Sequence, residues 1–77
     1  MDNQKLTYGQ KAVGLTFNPS NNDSVSICKK GFANLIDQID ELRNCPTSPE
    51  QERLCSIAIA EMQTAQMWAV KAITWKD

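Results

Sequence analysis

Apolar residues recur at alternating intervals of three and four along the middle of the chain, from Asp23 to about Arg43. This spacing places them on one face of an α-helix and matches a heptad seam. Asn22 or Asp23 can cap the first amides of this helix, and Arg43 lies where a positive charge favours its carboxyl end. The pattern predicts a helix over residues 23–43, with a packed seam of Val25, Cys28, Phe32, Leu35, Ile39 and Leu42.

The stretch NCPTSPEQ, residues 44–51, ends this helix and begins another. Pro46 cannot continue a helix, whereas Ser48, Pro49 and Gln51 offer an N-cap, a first-turn proline and the far half of a capping box. No glycine or proline follows Pro49, so a second helix is predicted over residues 49–74. Because the turn over residues 44–48 is short, the two helices should fold back as an antiparallel hairpin.

The second helix carries two apolar stripes. Small residues that allow a partner helix to approach, together with two tryptophans, form the first: Leu54, Ala58, Ala65, Trp68, Ala72 and Trp75. The second is Cys55, Ile59, Met62, Ala69 and Ile73. One hairpin partner covers one stripe, and a chain of this length buries only about 60% of its unfolded surface. We therefore expect the other stripe to pack against a second copy. Packing of that stripe under the N-terminal segment is the alternative.

The N-terminal segment LTYGQKAVG, residues 6–14, predicts a shorter helix. Leu6 and Val13 supply apolar positions, Thr7 can cap a helix, and Gly14 can end one. These signals indicate a helix of about two turns within residues 5–14.

A turn follows at Asn18-Pro19, because proline disfavours the helical region for the residue before it. The loop predicted over residues 15–22 carries an aromatic residue, Phe17, in an otherwise polar run. The chain is thus predicted as a single all-α domain over residues 1–77, a short helix followed by a long helical hairpin.

Composition argues against several function classes. A formal net charge of −1 disfavours DNA or RNA held through many phosphates, and the absence of histidine removes the commonest general base and metal ligand. The three cysteines lack C-x-x-C spacing, so neither a disulfide framework nor a zinc site is indicated. No apolar run has membrane-spanning length and no signal-peptide core follows Met1, which predicts a cytoplasmic chain without a membrane partner.

Catalytic groups are also scarce. Asp37, Asp40 and Glu41 lie at helical spacing, but such carboxylates without a cleft usually form a solvated face. Cys28 beside Lys29 is a weak signal for a nucleophile. The run SVSICKKG has its glycine after the lysines, so it is not a phosphate-binding loop. We predict a protein that is not an enzyme and that uses no metal or cofactor.

Binding chemistry remains. Tyr8 offers a ring for a nucleobase, while Lys29 and Lys30 offer ammonium groups for phosphates. Polar groups able to contact base edges come from the loop residues Asn18, Ser20 and Asn22. Each feature also has an ordinary interpretation, because a lone tyrosine often packs half-buried, a lysine pair is usually solvated, and Asn-Pro-Ser is usually only a turn.

The run GQKAVGLTFNPS, residues 9–20, resembles a sequence found in phage anti-CBASS sponge proteins and the related anti-Thoeris helical hairpin proteins. The similarity runs from about Lys5 to Trp75. It is extended by Val25, by Lys29, by the tripeptide Leu-Ile-Asp at residues 35–37 and by the final MWAVKAITW. Its most specific part is V-G-x-x-F-N-P-S. The resemblance implies a non-catalytic homohexamer of hairpins that sequesters cyclic oligonucleotide messengers in the host bacterial cytoplasm. Cyclic dinucleotides such as cGAMP would occupy one set of interfacial pockets and cyclic trinucleotides another, which would block CBASS-type immunity.

Carried over by motif, the resemblance implies that Tyr8 stacks on a base and Lys29 binds a phosphate. It also implies that one wall of the site is formed by loop residues, namely Phe17, Asn18, Pro19 and Ser20. Lys71 is a candidate for a basic residue contributed by the last helix. We expect Phe17 to anchor the loop against the hairpin, while the polar residues after it face ligand or a neighbouring copy. The rival hypothesis is a structural or regulatory hairpin that binds a host protein through its spare apolar stripe.

Overall fold

The computed structural model describes residues 5–77, which form three helices and no strand. These are α1 (Tyr8–Ala12), α2 (Asp23–Asn44) and α3 (Pro49–Ile73). Helix α2 packs against α3 as a hairpin, and α1 packs against α2. The prediction of an all-helical chain with a short first helix and a hairpin is confirmed. Residues 1–4 of the predicted domain lie outside the described residues.

Helix α1 is shorter than predicted because both of its ends are fixed by local hydrogen bonds. Thr7 forms a capping box with Gln10, so the helix begins only at Tyr8. At the other end Gly14 adopts a left-handed φ of 64°, and the amides of Gly14 and Leu15 donate to the carbonyls of Lys11 and Gln10. This Schellman motif limits α1 to five residues.

The ends of the long helices lie close to their predicted positions. The Asn22 side chain accepts from the Ser24 amide at 2.8 Å and caps α2. Ser48 caps α3 through the Gln51 amide, at 3.1 Å. The predicted capping box differs in one bond, because the Gln51 side chain accepts from the Thr47 amide at 2.8 Å and not from the amide of Ser48.

The predicted heptad seam of α2 is wrong in part. The buried residues of this helix are Val25, Lys29, Ala33 and Ile36, while Leu35 and Leu42 are 52% and 42% exposed. A heptad seam faces one partner, but α2 contacts both α1 and α3. Its most buried positions therefore lie between these two contacts, where Val13 and Ile59 join the core.

The stripe of α3 that faces the hairpin partner is the second one, and not the stripe whose small residues would allow a partner helix to approach closely. Cys55 and Ile59 are buried, and Met62 packs against the core. By contrast, Leu54, Trp68 and Trp75 of the other stripe are more than half exposed. The core forms where the end of α1 meets both long helices, and Ile59 is the buried α3 residue within it. One apolar stripe of α3 is consequently uncovered in the single chain.

None of these three helices combines the length and apolar character needed to cross a bilayer.

Candidate functional site

The loop between α1 and α2 is held in shape by its own side chains. The Asn18 amide donates to the Asn22 carbonyl and to the Ser26 hydroxyl, each at 3.0 Å. Ser20 donates to the Asn18 side-chain oxygen at 2.6 Å and accepts from the Asn22 amide at 3.2 Å. Asn21 adopts a left-handed φ of 54°, which asparagine tolerates well. These bonds give the loop a preformed conformation, and they engage polar groups of Asn18 and Ser20 that we expected to face a ligand.

Lys29 projects from the first turns of α2 beneath this loop and is only 5% exposed. Its ammonium donates to the Gly14 carbonyl at 2.9 Å and to the Phe17 carbonyl. Two of its three N–H groups are therefore engaged by neutral acceptors, which hold the side chain without cancelling its charge. The buried cation thus joins the end of α1, the loop and the start of α2.

Phe17 does not anchor the loop by burial, contrary to expectation. Its side chain is 69% exposed, and the Lys29 ammonium lies 5.5 Å from the centroid of its ring. The loop is held instead through the Phe17 carbonyl, while Val13 and Leu15 make the apolar contacts with the core. The Phe17 ring therefore lies at the surface, beside the buried ammonium of Lys29.

A cavity of about 260 Å³ lies between this loop, the start of α2 and the end of α3. Its lining is Phe17, Asn18, Pro19, Ser20, Val25, Lys29, Val70 and Thr74. Five of the seven predicted site residues border it, all of them from the loop and α2. A second cavity of about 410 Å³ shares Ser20 and Thr74 with the first and is also lined by Trp75 and Lys76.

Val70 and Thr74 were not predicted as site residues. Val70 lies in the last turn of α3 and Thr74 is its C-cap, and both belong to neither of the apolar stripes that the sequence pattern identified. Their spacing carries no chemical signal, so only the packing of α3 against α2 brings them to the cavity.

Tyr8 lies at the opposite end of the hairpin from this cavity. Its side chain is 44% exposed, and the guanidinium carbon of Arg43 is 5.2 Å from the centroid of its ring. Helix α2 rises about 21 Å between Lys29 and Arg43, at 1.5 Å per residue. The two side chains on which the predicted site depends are therefore not brought together within one chain.

Arg43 connects the three helices at this end. It donates to the Asp40 carboxylate at 2.7 Å and to the Ser56 hydroxyl of α3 at 3.3 Å, in addition to its contact with Tyr8. The hydrogen bond to Asp40, and next the contact with Tyr8, raise the pKa of Arg43 above its ordinary value. The guanidinium is thus charged and fixed in orientation.

The three carboxylates near the end of α2, those of Asp37, Asp40 and Glu41, do not simply form a solvated face, which is what their spacing indicates. Asp37 accepts from the Gly9 amide at 2.6 Å and so binds the first turn of α1, while Asp40 pairs with Arg43. Glu41 is exposed. Two of the three carboxylates therefore position the segment that carries Tyr8.

The remaining candidates lie elsewhere. Lys71 is exposed on α3, with its ammonium 5.4 Å from the centroid of the Trp68 ring, and it borders neither cavity. The thiols of Cys28, Cys45 and Cys55 are free. Residues 5–77 contain no group of three or more histidine, cysteine or acidic residues arranged to hold a metal ion.

A protein-family model described as the Acb2/Tad1 hairpin domain matches residues 10–74. Searches of curated proteins and of solved structures found no match. The matched region contains the loop, Lys29 and both helices of the hairpin, and it begins just after Tyr8.

Proposed function

Because the chain belongs to the Acb2/Tad1 hairpin family of anti-CBASS and anti-Thoeris sponge proteins, we propose that it captures cyclic dinucleotides and holds them without altering them. The observation that carries this proposal is the buried ammonium of Lys29 at the wall of a largely apolar cavity. A cavity of that kind suits a ligand that combines flat bases with a phosphodiester.

Lys29 is the proposed phosphate ligand. Its two carbonyl partners leave one N–H group free of the bonds that hold it to the loop. The ion pairs found among residues 5–77 are Arg43–Asp40 and Arg53–Glu50, so the charge of Lys29 is not offset by a carboxylate in the described part of the chain. A buried cation of this kind attracts an anion more strongly than a solvated one.

The walls of the cavity suit a nucleobase. Phe17 presents an exposed ring, and Pro19 and Val70 add apolar surface beside it. Stacking of a base on an aromatic ring contributes about 1–3 kcal/mol. Because Asn18 and Ser20 already fix the loop, a ligand would order little of it, which favours affinity.

We further propose that the complete site is shared between copies of the chain. Tyr8 and Lys29 lie at opposite ends of one hairpin, so both contact the same small ligand only if they come from different copies. The uncovered stripe of Leu54, Trp68 and Trp75 supplies apolar surface for such assembly. The near-twofold shape of a cyclic dinucleotide suits a pocket between symmetry-related copies, and the family resemblance favours a hexamer.

The proposed role is to block CBASS-type immunity in the host bacterial cytoplasm by sequestration alone. Cyclic dinucleotides such as cGAMP are the first ligands to test, with cyclic trinucleotides at a second set of interfaces. Lys71 remains a candidate for that second set, since it is exposed on α3 beside Trp68.

The test is a thermal-shift panel with cGAMP, other cyclic dinucleotides and cyclic trinucleotides, and a linear dinucleotide of the same bases as control. We expect the cyclic compounds to raise the melting temperature, and we expect the bound compound to be recovered intact after heat denaturation. Recovery of hydrolysed nucleotide would identify a phosphodiesterase instead.

The uncovered stripe of α3 also favours a second candidate function, a hairpin that binds a host protein through that surface. Absence of a shift with every cyclic compound, together with a monomeric mass in solution, would support this alternative against the sponge.

A further inference from the structure

The Tyr8 ring has a cation on one side. The guanidinium of Arg43 lies over the ring at 5.2 Å from its centroid. A cation over an aromatic face is attracted by the negative potential of that face, and arginine is the commonest partner. A second planar group can therefore stack only on the other face.

Arg43 is held in place independently of Tyr8. The Asp40 carboxylate, three residues earlier on α2, accepts from one guanidinium nitrogen at 2.7 Å. The Ser56 hydroxyl on α3 accepts from another at 3.3 Å. The side chain of Arg43 is partly covered, at 23% exposed, so water competes less for these bonds than at a fully exposed pair.

The backbone of Tyr8 is fixed as well. Thr7 caps the helix immediately before it, and the Gly9 amide immediately after it donates to Asp37. Gly9 also lies against the backbone of α2, since a Cβ atom there would be only 2.2 Å from the Ala33 carbonyl oxygen. The side-chain torsions of Tyr8 are thus the main freedom left to the ring, and Arg43 is the charged group in contact with it.

We propose that Arg43 is a positioning residue for ligand capture: its guanidinium covers one face of Tyr8, restricts the ring to one orientation, and leaves the opposite face open for a nucleobase. This inference rests on the proposed function, because it assigns Tyr8 to base stacking. It adds a residue near the hairpin turn, far along α2 from Lys29, to the determinants of ligand affinity.

The chain contains one tyrosine, so the ring can be observed directly. Protein labelled with ¹³C-tyrosine gives a single set of aromatic resonances, which we would record without ligand for the wild type and for Arg43→Gln and Arg43→Lys. In the wild type we expect nuclear Overhauser contacts between the Tyr8 ring and the Arg43 side chain. In Arg43→Gln the ring signals should move towards those of free tyrosine. Arg43→Lys keeps the charge but not the planar fork, so its signals should be intermediate.

The same variants are then titrated with cGAMP. Arg43→Gln should weaken binding about fivefold or more, as expected when a stacking platform loses its preferred orientation. The matched control is Arg53→Gln, which breaks an arginine pair of the same spacing that is exposed and bonded to Glu50. This control should change neither the Tyr8 signals nor the affinity.

The outcomes separate this inference from the proposed function. Unchanged Tyr8 signals in Arg43→Gln would overturn the inference, whatever binds. Changed signals with unchanged cGAMP affinity would also overturn it, because Arg43 would then only join the helices. If the wild type binds no cyclic dinucleotide, the proposed function fails, while the signals of the ligand-free protein still decide whether Arg43 orients Tyr8.

Discussion

The two ends of the hairpin each carry an aromatic ring beside a cation, but the cations are held in different ways. At the end that carries the loop and the cavity, Lys29 is buried and is bonded to two neutral carbonyls. Its ammonium lies 5.5 Å from the ring centroid of Phe17. At the turn end, Arg43 is bonded to a carboxylate and lies 5.2 Å from the ring centroid of Tyr8. The charge of Arg43 is therefore offset locally, and that of Lys29 is not.

This difference assigns separate tasks to the two ends. An anion gains more from a buried cation without a carboxylate partner than from one already paired, which is why we propose Lys29 and not Arg43 as the phosphate ligand. Arg43 instead fixes the orientation of an aromatic ring. Under the proposed function, each end of one chain supplies half of a nucleotide site, a cation end and a stacking end, and assembly of copies would complete it.

The largest expected effect comes from removing the buried charge. Lys29→Met keeps much of the apolar stem but leaves the carbonyls of Gly14 and Phe17 without their donor. Each buried acceptor left unpaired costs about 1–3 kcal/mol. We expect a loss of about 2 kcal/mol or more in the free energy of unfolding, and no detectable capture of cGAMP by calorimetry.

The control for this change is Lys30→Met, at the exposed lysine next in the chain. It should leave both the unfolding free energy and cGAMP capture close to the wild-type values. Equal losses in the two variants would mean that net charge, and not the buried ammonium, determines binding.

The next largest effect is expected where α1 crosses α2. A Cβ atom at Gly9 would meet the Ala33 carbonyl oxygen at 2.2 Å, so Gly9→Ala must push α1 away from α2. Overpacking of this kind costs about 1–3 kcal/mol. Urea denaturation at fixed protein concentration should show that loss, with weakened cGAMP capture because Tyr8 moves with α1.

Gly31→Ala is the matched control, since nothing lies within 4 Å of a Cβ atom there. Gly31 is an exposed interior position of α2, so alanine should raise the unfolding free energy by about 0.5–1 kcal/mol. A destabilising Gly31→Ala together with a neutral Gly9→Ala would contradict the packing of α1 on α2 described here.

The smallest of the three effects is expected at the stacking end. Tyr8→Ala removes an exposed ring, so the fold should be little changed while cGAMP affinity falls by the stacking contribution, about 1–3 kcal/mol. Tyr8→Phe keeps the ring and should bind nearly as well as the wild type. Equal affinity of Tyr8→Ala and the wild type would remove Tyr8 from the site.

Local signals in the sequence were sufficient for the helix caps. Thr7 and Ser48 act as the spacing of polar residues predicted, and of the two candidates Asn22 and Asp23 it is Asn22 that caps α2, because a cap involves atoms within three residues. Gly14 likewise ends α1, although the helix is shorter than expected.

The arrangement of the site depended on contacts between distant residues, which periodicity does not record. Burial of Lys29 requires the carbonyls of Gly14 and Phe17, and the Tyr8 ring is directed away from Lys29 by its contact with Arg43 near the end of α2. Choosing between the two stripes of α3 likewise required knowing where Val13 packs. The residues of the loop could be proposed from sequence, but the placement of Tyr8 and Lys29 towards different ends of the hairpin could not.

A subunit-mixing measurement tests most directly whether Tyr8 and Lys29 of different copies share one ligand. Tyr8→Ala and Lys29→Met are each checked for helical content, then unfolded and refolded together, and cGAMP binding is measured by calorimetry against each variant refolded alone. The mixture should bind cGAMP more tightly than either variant refolded alone, because some pockets then receive Tyr8 from one copy and Lys29 from another. A mixture that binds no more cGAMP than its two components do separately would contradict a shared site.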